Sequence, residues 1–211
     1  MDKLLEISTS LQNLRRKQVI KLVNEAIEEG VSASDILNNG LLHGMNIIGE
    51  KFKNEEVFVP EVLIAARCMS EGIELLKPHL QDDAVKKLGK AVIGTVKGDK
   101  HDIGKNLVKI MLEGKGIEVI DLGIDVPAET FISSAKEHNV DIICCSSLLT
   151  TTMGEMERVV KLVKEENLDV KVMIGGAPVN QQFCDTIGAD YYTDDAATAS
   201  DVAKAILEGK A

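Results

Sequence analysis

The sequence predicts a bundle of four helices followed by a doubly wound α/β domain with a five-stranded parallel sheet. Two observations lead to this prediction. From residue 1 to about residue 80, apolar residues recur every three or four positions, which is the spacing of amphipathic helices. From Lys90 onward, short β-rich runs alternate with helical ones, as in a parallel sheet covered on both faces. A chain of 211 residues is long enough for two small domains.

The helical part, residues 1–80, carries recognisable helix-start signals. Ser32 followed by Asp35 is typical of a capping box that opens one helix. Pro60 suits the first turn of the next helix, and a short loop with Phe58 separates the two. The sequence therefore predicts about four helices in a small bundle.

Residues 81–89 carry charges without a long apolar face, so we expect a linker there, followed by a second domain at 90–211. The predicted strands of that domain are 91–96, 117–122, 140–146, 170–174 and 190–193. Helices are expected to begin near Gly104, Ala128, Met153, Val179 and Ala196. This order predicts a Rossmann-like, flavodoxin-like sheet, in which ligands bind at the carboxyl ends of the strands.

The composition argues against several functions. With 24 basic and 34 acidic residues the net charge is −10, and aromatic residues make up 3%, so nucleic acid is not an expected partner. The uncharged stretches are shorter than the ~20 apolar residues of a membrane helix, and the N-terminus does not read as a signal peptide. The four cysteines form no C-x-x-C motif, so we expect buried thiols in a reducing cytoplasm.

The loop after the first predicted strand carries a lone imidazole. Asp99 precedes His101 by two residues, and a carboxylate there can accept one ring N–H and make the other nitrogen more basic toward a metal. A phosphate loop is disfavoured because Gly98 and Gly104 enclose five residues, where a Walker motif has four. The alternative is that His101 is a solvated loop residue and Gly104 a tight turn.

Two further loops are unusual. The third strand ends in a run of hydroxyl residues within 146–152, which can bind a ligand or, alternatively, cap the next helix. The fourth strand ends in Gly175 and Gly176, which allow a close backbone approach or form an ordinary turn. All three loops are expected at the same end of adjacent strands, with a slot for an extended ligand between them.

Together the three loops resemble cobalamin-binding domains, which have the pattern D-x-H-x-x-G, then S-x-L, then G-G. The matching residues are Asp99, His101 and Gly104, then Ser146 and Leu148, then Gly175 and Gly176. The resemblance implies that cobalamin or a related corrinoid is the cofactor. It also implies that His101 is the lower axial ligand of cobalt, that Asp99 is its hydrogen-bond partner, and that the other two loops line a slot for the nucleotide tail.

The resemblance extends to neighbouring residues and to the helical part. Methionine synthase has a further hydroxyl in the ligand–carboxylate chain, and Thr152 aligns with it; Thr150 is expected in the cofactor-binding set. The helical part is similar to the cap of methionine synthase and of stand-alone corrinoid proteins that serve methanol, methylamine and methoxyaromatic methyltransferases. In such caps apolar residues cover the upper face of the corrin. The candidates here are Met45, Phe58 and Leu63, with bundle core as the alternative for each.

The resemblance thus implies a methyl carrier. It would accept a methyl group on Co(I) from a substrate-specific methyltransferase and pass it from methyl-Co(III) to a second methyltransferase with a folate or thiol acceptor. A reductive activation protein is a third implied partner. The chain lacks the roughly 250 residues of a substrate-binding barrel, so it is not expected to be a complete enzyme alone. Two alternatives stay open: the small subunit of an adenosylcobalamin mutase, which would not need the cap, and a cobalamin-dependent regulator, whose known versions add a basic DNA-binding module and a cap tryptophan.

Overall fold

The computed structural model describes residues 2–79 and 88–209. The chain divides into two compact units, one comprising Met1–Lys86 with Gly114–Gly116 and the other Lys87–Glu113 with Ile117–Ala211. Of the predicted linker 81–89, all but Leu88 and Gly89 lies outside the described residues. The domain boundaries drawn from the sequence stay a prediction.

The first unit is helical throughout its described elements. These are α1 (Lys3–Gln12), α2 (Arg16–Glu28), α3 (Ala33–Asp35), a π-helical segment (Ile36–Leu42), α4 (His43–Lys53), α5 (Val59–Leu76) and a 3-10 turn (Lys77–His79). The π-helical segment joins α3 to α4 with helical backbone angles at both junctions. Residues 33–53 therefore form one continuous helical stretch. Helix α1 packs against α2 and α4, and α5 packs against the same two helices. Within residues 2–79 the bundle therefore has four helical segments, α1, α2, the continuous stretch 33–53 and α5, as the apolar spacing predicts.

The predicted helix starts are present. The Ser32 hydroxyl accepts the backbone N–H of Asp35 at 3.0 Å and donates to the Asp35 carboxylate at 2.7 Å. At the start of α5, the N–H of Phe58 donates to the Glu61 carboxylate at 2.8 Å, and Pro60 lies in the first turn. These bonds satisfy backbone donors that a helix N-terminus leaves without an intrahelical partner.

The second unit is the predicted α/β domain. Its strands are β1 (Lys90–Thr95), β2 (Glu118–Asp121), β3 (Ile142–Ser146), β4 (Lys171–Gly175) and β5 (Tyr191–Tyr192). Its helices are α6 (Ile103–Gly114), α7 (Ala128–His138), α8 (Gly154–Glu165), α9 (Gln181–Ile187) and α10 (Ala196–Leu207), with a 3-10 turn at Thr150–Thr152. The strands pair in parallel in the order β2-β1-β3-β4-β5. This confirms the predicted fold class.

The sheet buries apolar side chains on both faces. Because neighbouring residues of a strand point to opposite sides, Val92 joins one core with Phe131 of α7, whereas Ile93 joins the other with Leu112 of α6. Near-continuous apolar strands are what a sheet covered by helices on both sides requires. All four cysteines are buried free thiols, as expected, and burial raises the pKa of the Cys144 thiol to about 12.

The strand order positions the site. From β1 the chain moves outward to β2 on one side and then crosses to β3 on the other. The loops that leave β1 and β3 therefore diverge, and a crevice opens between them at the carboxyl edge, which is where doubly wound sheets bind ligands. Across residues 2–79 and 88–209, no helix has both the length and the apolar character needed to cross a bilayer.

Candidate functional site

The loop after β1 presents an exposed imidazole above a buried carboxylate. Asp99 is fully buried, whereas 52% of the His101 side chain is exposed. Asp99 Oδ1 accepts the backbone N–H of His101 at 3.0 Å and lies 2.7 Å from its Nδ1. Burial alone raises the pKa of the Asp99 carboxyl, but the N–H donors of His101 and Leu148 outweigh it and hold that pKa well below its usual range. An ionised Asp99 fixes the hydrogen on Nδ1 and leaves the Nε2 lone pair free to bind a metal.

The loop after β3 supplies the remaining partners of the Asp99 carboxylate. Its Oδ2 accepts the backbone N–H of Leu148 at 2.7 Å and of Leu149 at 3.3 Å. The Thr152 Oγ1 lies 3.3 Å from the same oxygen, so the structure brings this predicted residue to the carboxylate. Residues about 50 positions apart in the chain thus meet at the crevice between β1 and β3.

Ser147 also belongs to this cluster, although the sequence did not single it out. It is fully buried, its Oγ lies 2.7 Å from Thr152 Oγ1, and it reaches Asp99 Oδ2 at 3.5 Å. By contrast, Ser146 is half-buried at the end of β3 and Thr150 is exposed. The period-two alternation of β3 could have suggested that Ser146 and Ser147 face opposite sides.

A second residue that sequence reasoning missed is Thr95, at the end of β1. It is fully buried, and its Oγ1 donates to the carbonyl of His101 at 2.7 Å. The peptide groups on both sides of the His101 Cα are therefore tied down, one by Asp99 and one by Thr95. A lone hydroxyl residue closing an otherwise apolar strand is the signal that could have identified it.

Gly104 borders open space. A Cβ added there would meet no atom within 4 Å, and its φ is not in the left-handed region. Neither a neighbour nor the backbone therefore demands glycine at this position, whereas a ligand lying against the start of α6 would. An exposed, oriented imidazole nitrogen beside such open space fits a cofactor held through one axial metal ligand.

The glycine pair after β4 has a different basis. Gly176 has a φ of +132°, and a Cβ on it would stand 1.8 Å from the carbonyl oxygen of Ser147. A Cβ on Gly175 would stand 3.2 Å from the carbonyl oxygen of Thr193. The close approach expected from this pair is thus to the protein's own chain, at the loop after β3 for Gly176 and at the loop after β5 for Gly175. The predicted role of the pair in lining a nucleotide slot stays a prediction.

Exposed apolar side chains follow three neighbouring strands at this edge. They are Ile103 (75% exposed), Ile124 (43%), Leu148 (43%) and Leu149 (40%). Of these, only Leu148 was predicted from the sequence. Exposed apolar groups gathered around a functional edge are typical of a ligand-binding surface.

The three cap candidates differ in exposure. Met45 is 1% exposed, which fits the bundle-core alternative, whereas Phe58 is 65% and Leu63 47% exposed. Ile64, next to Leu63, is 46% exposed as well. Phe58 and Leu63 are therefore exposed apolar side chains and not core residues.

Comparisons with known proteins match both units. A family model described as a B12 binding domain matches residues 89–203, and a second model with the same description matches residues 4–77. Dimethylamine corrinoid protein 3 of Methanosarcina acetivorans is 44% identical over 204 residues, which cover 96% of this chain and 95% of that protein.

Solved structures are similar over most of the chain. The methanol:cobalamin methyltransferase complex MtaBC from Methanosarcina barkeri contains a chain that matches with a TM-score of 0.91 and 31% identity, covering 99% of this chain and 80% of that one. A cobalamin-binding protein from Desulfitobacterium hafniense matches with a TM-score of 0.79 and 33% identity, covering 96% and 98%.

These similarities confirm the predicted resemblance and the predicted cofactor class, cobalamin or a related corrinoid. They rest on a domain model that matches more than half of the chain and on a relative aligned over nearly its whole length. This protein belongs to the family of B12-binding corrinoid proteins.

Proposed function

We propose that this protein is a corrinoid methyl carrier. It takes a methyl group from a substrate-specific methyltransferase and delivers it to a second methyltransferase that uses a folate or thiol acceptor. Support comes from the 44% identity with a dimethylamine corrinoid protein along 96% of the chain. A reductive activation protein that restores the active cofactor is the third partner of this proposal.

The observation that carries the proposal is the pairing of exposed His101 with buried Asp99. Nε2 of His101 would bind the cobalt of the corrinoid, and Asp99, whose Oδ1 lies 2.7 Å from Nδ1, would hold the ring in place. Cobalt in the bound corrinoid supplies the centre that accepts and releases the methyl group. Because a protonated imidazole cannot bind a metal, Nε2 could carry a proton only when it is not bound to cobalt, and the ionised Asp99 would stabilise the imidazolium in that state.

The remaining residues exclude water from Asp99 and receive the cofactor. Thr152 and Ser147 lie against the carboxylate, with their hydroxyl oxygens 3.3 Å and 3.5 Å from Asp99 Oδ2, and so keep solvent away from it. We assign Gly104 to the close approach of the cofactor beside the ligand. The slot for the nucleotide tail is assigned to Ser146, Leu148, Thr150, Gly175 and Gly176.

Methyl transfer to the loaded protein tests this function. The full chain is purified from its source, so that the methyltransferase that co-purifies with it can be identified. It is then reconstituted with hydroxocobalamin, reduced, and offered dimethylamine, trimethylamine or methanol with that methyltransferase. We expect a methylated cofactor spectrum with one of these donors and return of the reduced spectrum when a thiol acceptor and the second enzyme are added. A loaded, reduced protein that none of these donors methylates would contradict the proposal.

A further inference from the structure

The loop after β2 is joined to the loop that carries His101. Backbone hydrogen bonds continue past the ends of β1 and β2, from the N–H of Thr95 to Gly123 O and from the N–H of Val126 to Thr95 O, both at 3.0 Å. The last connection is made by Asp125. Its N–H donates to the carbonyl of Asp99 at 2.9 Å, and its Oδ1 accepts the N–H of Gly98 at 2.7 Å. Asp125 thus holds the Gly98–Asp99 segment at two points.

Asp125 adopts an uncommon backbone conformation to do this. Its φ is +56°, in the left-handed region, which few non-glycine residues adopt and which Asp and Asn adopt more readily than the others. In the described parts of the chain, four other non-glycine residues share this feature: Leu14, Glu55, Asn139 and Asn167. Each of those four lies one or two residues past the last residue of a helix, where a left-handed residue is ordinary. Asp125 does not lie at the end of a helix. Left-handed residues away from helix ends tend to cluster at functional sites.

We propose that Asp125 is a positioning residue for the axial ligand. This inference rests on the proposed function, because the group that it positions is His101. Gly98 has a φ of +83°, so the segment before Asp99 turns sharply and is held from outside by Asp125. Loss of the Gly98 contact leaves this segment held by the Asp125 N–H alone, so the Asp99 peptide gains freedom to rotate and Oδ1 meets Nδ1 of His101 in a less fixed geometry.

Substitutions at position 125 separate the hydrogen bond from the strain. Asp125→Gly tolerates the left-handed conformation but lacks the acceptor for the Gly98 N–H, whereas Asp125→Asn keeps an Oδ1 and also tolerates that conformation. Asn139→Gly is the matched control, because it relieves a similar φ of +49° at the end of α7. All are made in the full-length protein.

Two measurements are compared. The first is amide hydrogen exchange of Gly98 and His101 without cofactor. The second is the fraction of the Co(II) EPR signal split by an imidazole nitrogen after loading with cobalamin. We expect Asp125→Gly to raise the exchange rates and to weaken the binding of His101 to cobalt by about tenfold. This is the lower end of the loss in metal affinity that follows replacement of a residue hydrogen-bonded to a metal ligand. Asp125→Asn should stay close to the wild type, and Asn139→Gly should change neither.

An unchanged cobalt signal in Asp125→Gly, or an equal loss in Asn139→Gly, would overturn the positioning role. A wild-type protein without imidazole splitting would instead overturn the ligand assignment of the proposed function. In that case the hydrogen-exchange measurement still tests the role of Asp125. Equal amide exchange rates of Gly98 and His101 in Asp125→Gly and in the wild type would rule out the connection from Asp125.

Discussion

Oδ1 of Asp99 lies 2.7 Å from Nδ1 of His101. The Asp99 side chain is fully buried, whereas 52% of the His101 side chain is exposed to solvent. The carboxylate is held by backbone N–H groups of two loops, so its position does not depend on the histidine alone. The imidazole of His101, paired with such a rigid, ionised partner, is oriented by the protein itself. This preorganisation limits the conformational entropy lost on binding.

Replacing the predicted ligand should change the metal spectrum more than it changes the fold. In His101→Ala, the imidazole splitting of the Co(II) EPR signal should disappear, since Nε2 of His101 is its proposed source. Bound corrinoid should persist at reduced affinity, because contacts with the ring and tail supply much of the buried area. His138→Ala, at the end of α7 away from the site, is the control and should retain the splitting. An unaltered spectrum in His101→Ala would refute the assignment.

Asp99 should contribute to stability in a pH-dependent way. Its pKa in the folded protein lies below the usual value of about 3.9, so the ionised form stabilises the fold above about pH 4. That contribution is lost as the pH falls further toward the folded pKa. Urea unfolding without cofactor at pH 7, 5 and 3 should therefore show Asp99→Asn destabilised at pH 7 and 5, and the gap to the wild type narrowing at pH 3. A constant gap would argue that the charge of Asp99 is not the stabilising feature.

The two buried hydroxyls beside Asp99 should act together. Thr152→Val and Ser147→Ala each remove a donor from a buried cluster and should lower the free energy of unfolding by about 1–3 kcal/mol. Because the hydroxyls lie 2.7 Å apart, the double variant should lose less than the sum of the two, with a coupling of about 0.5 kcal/mol or more. Thr152→Ser keeps the hydroxyl and serves as the control. Strict additivity would show that the hydroxyls act separately.

Two of the three glycines named by the sequence motif should respond in opposite ways to substitution by alanine. At Gly104 nothing opposes a Cβ, so Gly104→Ala should leave the cofactor-free protein equally stable or more stable by about 0.5–1 kcal/mol. Its corrinoid affinity should nevertheless fall by on the order of tenfold, if the cofactor occupies that space. Gly176→Ala should cost about 3 kcal/mol or more, because its Cβ meets the Ser147 carbonyl oxygen. Thermal unfolding and cobalamin titration measure both, and unchanged affinity in Gly104→Ala would remove that residue from the site.

Alanine substitutions at Phe58 and Met45 should distinguish a residue that covers the cofactor from a residue of the bundle core. Phe58 is largely exposed, so Phe58→Ala should change stability by about 0.5 kcal/mol or less, whereas Met45→Ala should cost about 2–5 kcal/mol. The resemblance to corrinoid caps predicts that reduced cobalamin bound to Phe58→Ala is oxidised faster than reduced cobalamin bound to the wild type. Stopped-flow oxidation by air-saturated buffer measures this. Equal rates for Phe58→Ala and the wild type would exclude Phe58 from covering the corrin.

The sequence alone predicted the elements of both units and the order of the three loops. Strands 91–96 and 140–146 were expected within two residues of the observed β1 and β3, because a run of apolar residues and its helical neighbours are local patterns. Asp99 and His101 could be paired from sequence for the same reason, since two residues of separation suffice for their contact.

Only the tertiary structure decided which distant groups complete the site. Ser147 and Asp125 contact the Asp99 segment from chain positions 26 or more residues away, and such contacts depend on strand order and on where each strand stops. The same holds for exposure: Met45 and Phe58 carry similar apolar character in the sequence, yet one is buried and the other is not. Local periodicity determines which residues form a helix or strand, whereas the packing of elements far apart in the chain determines what each side chain meets.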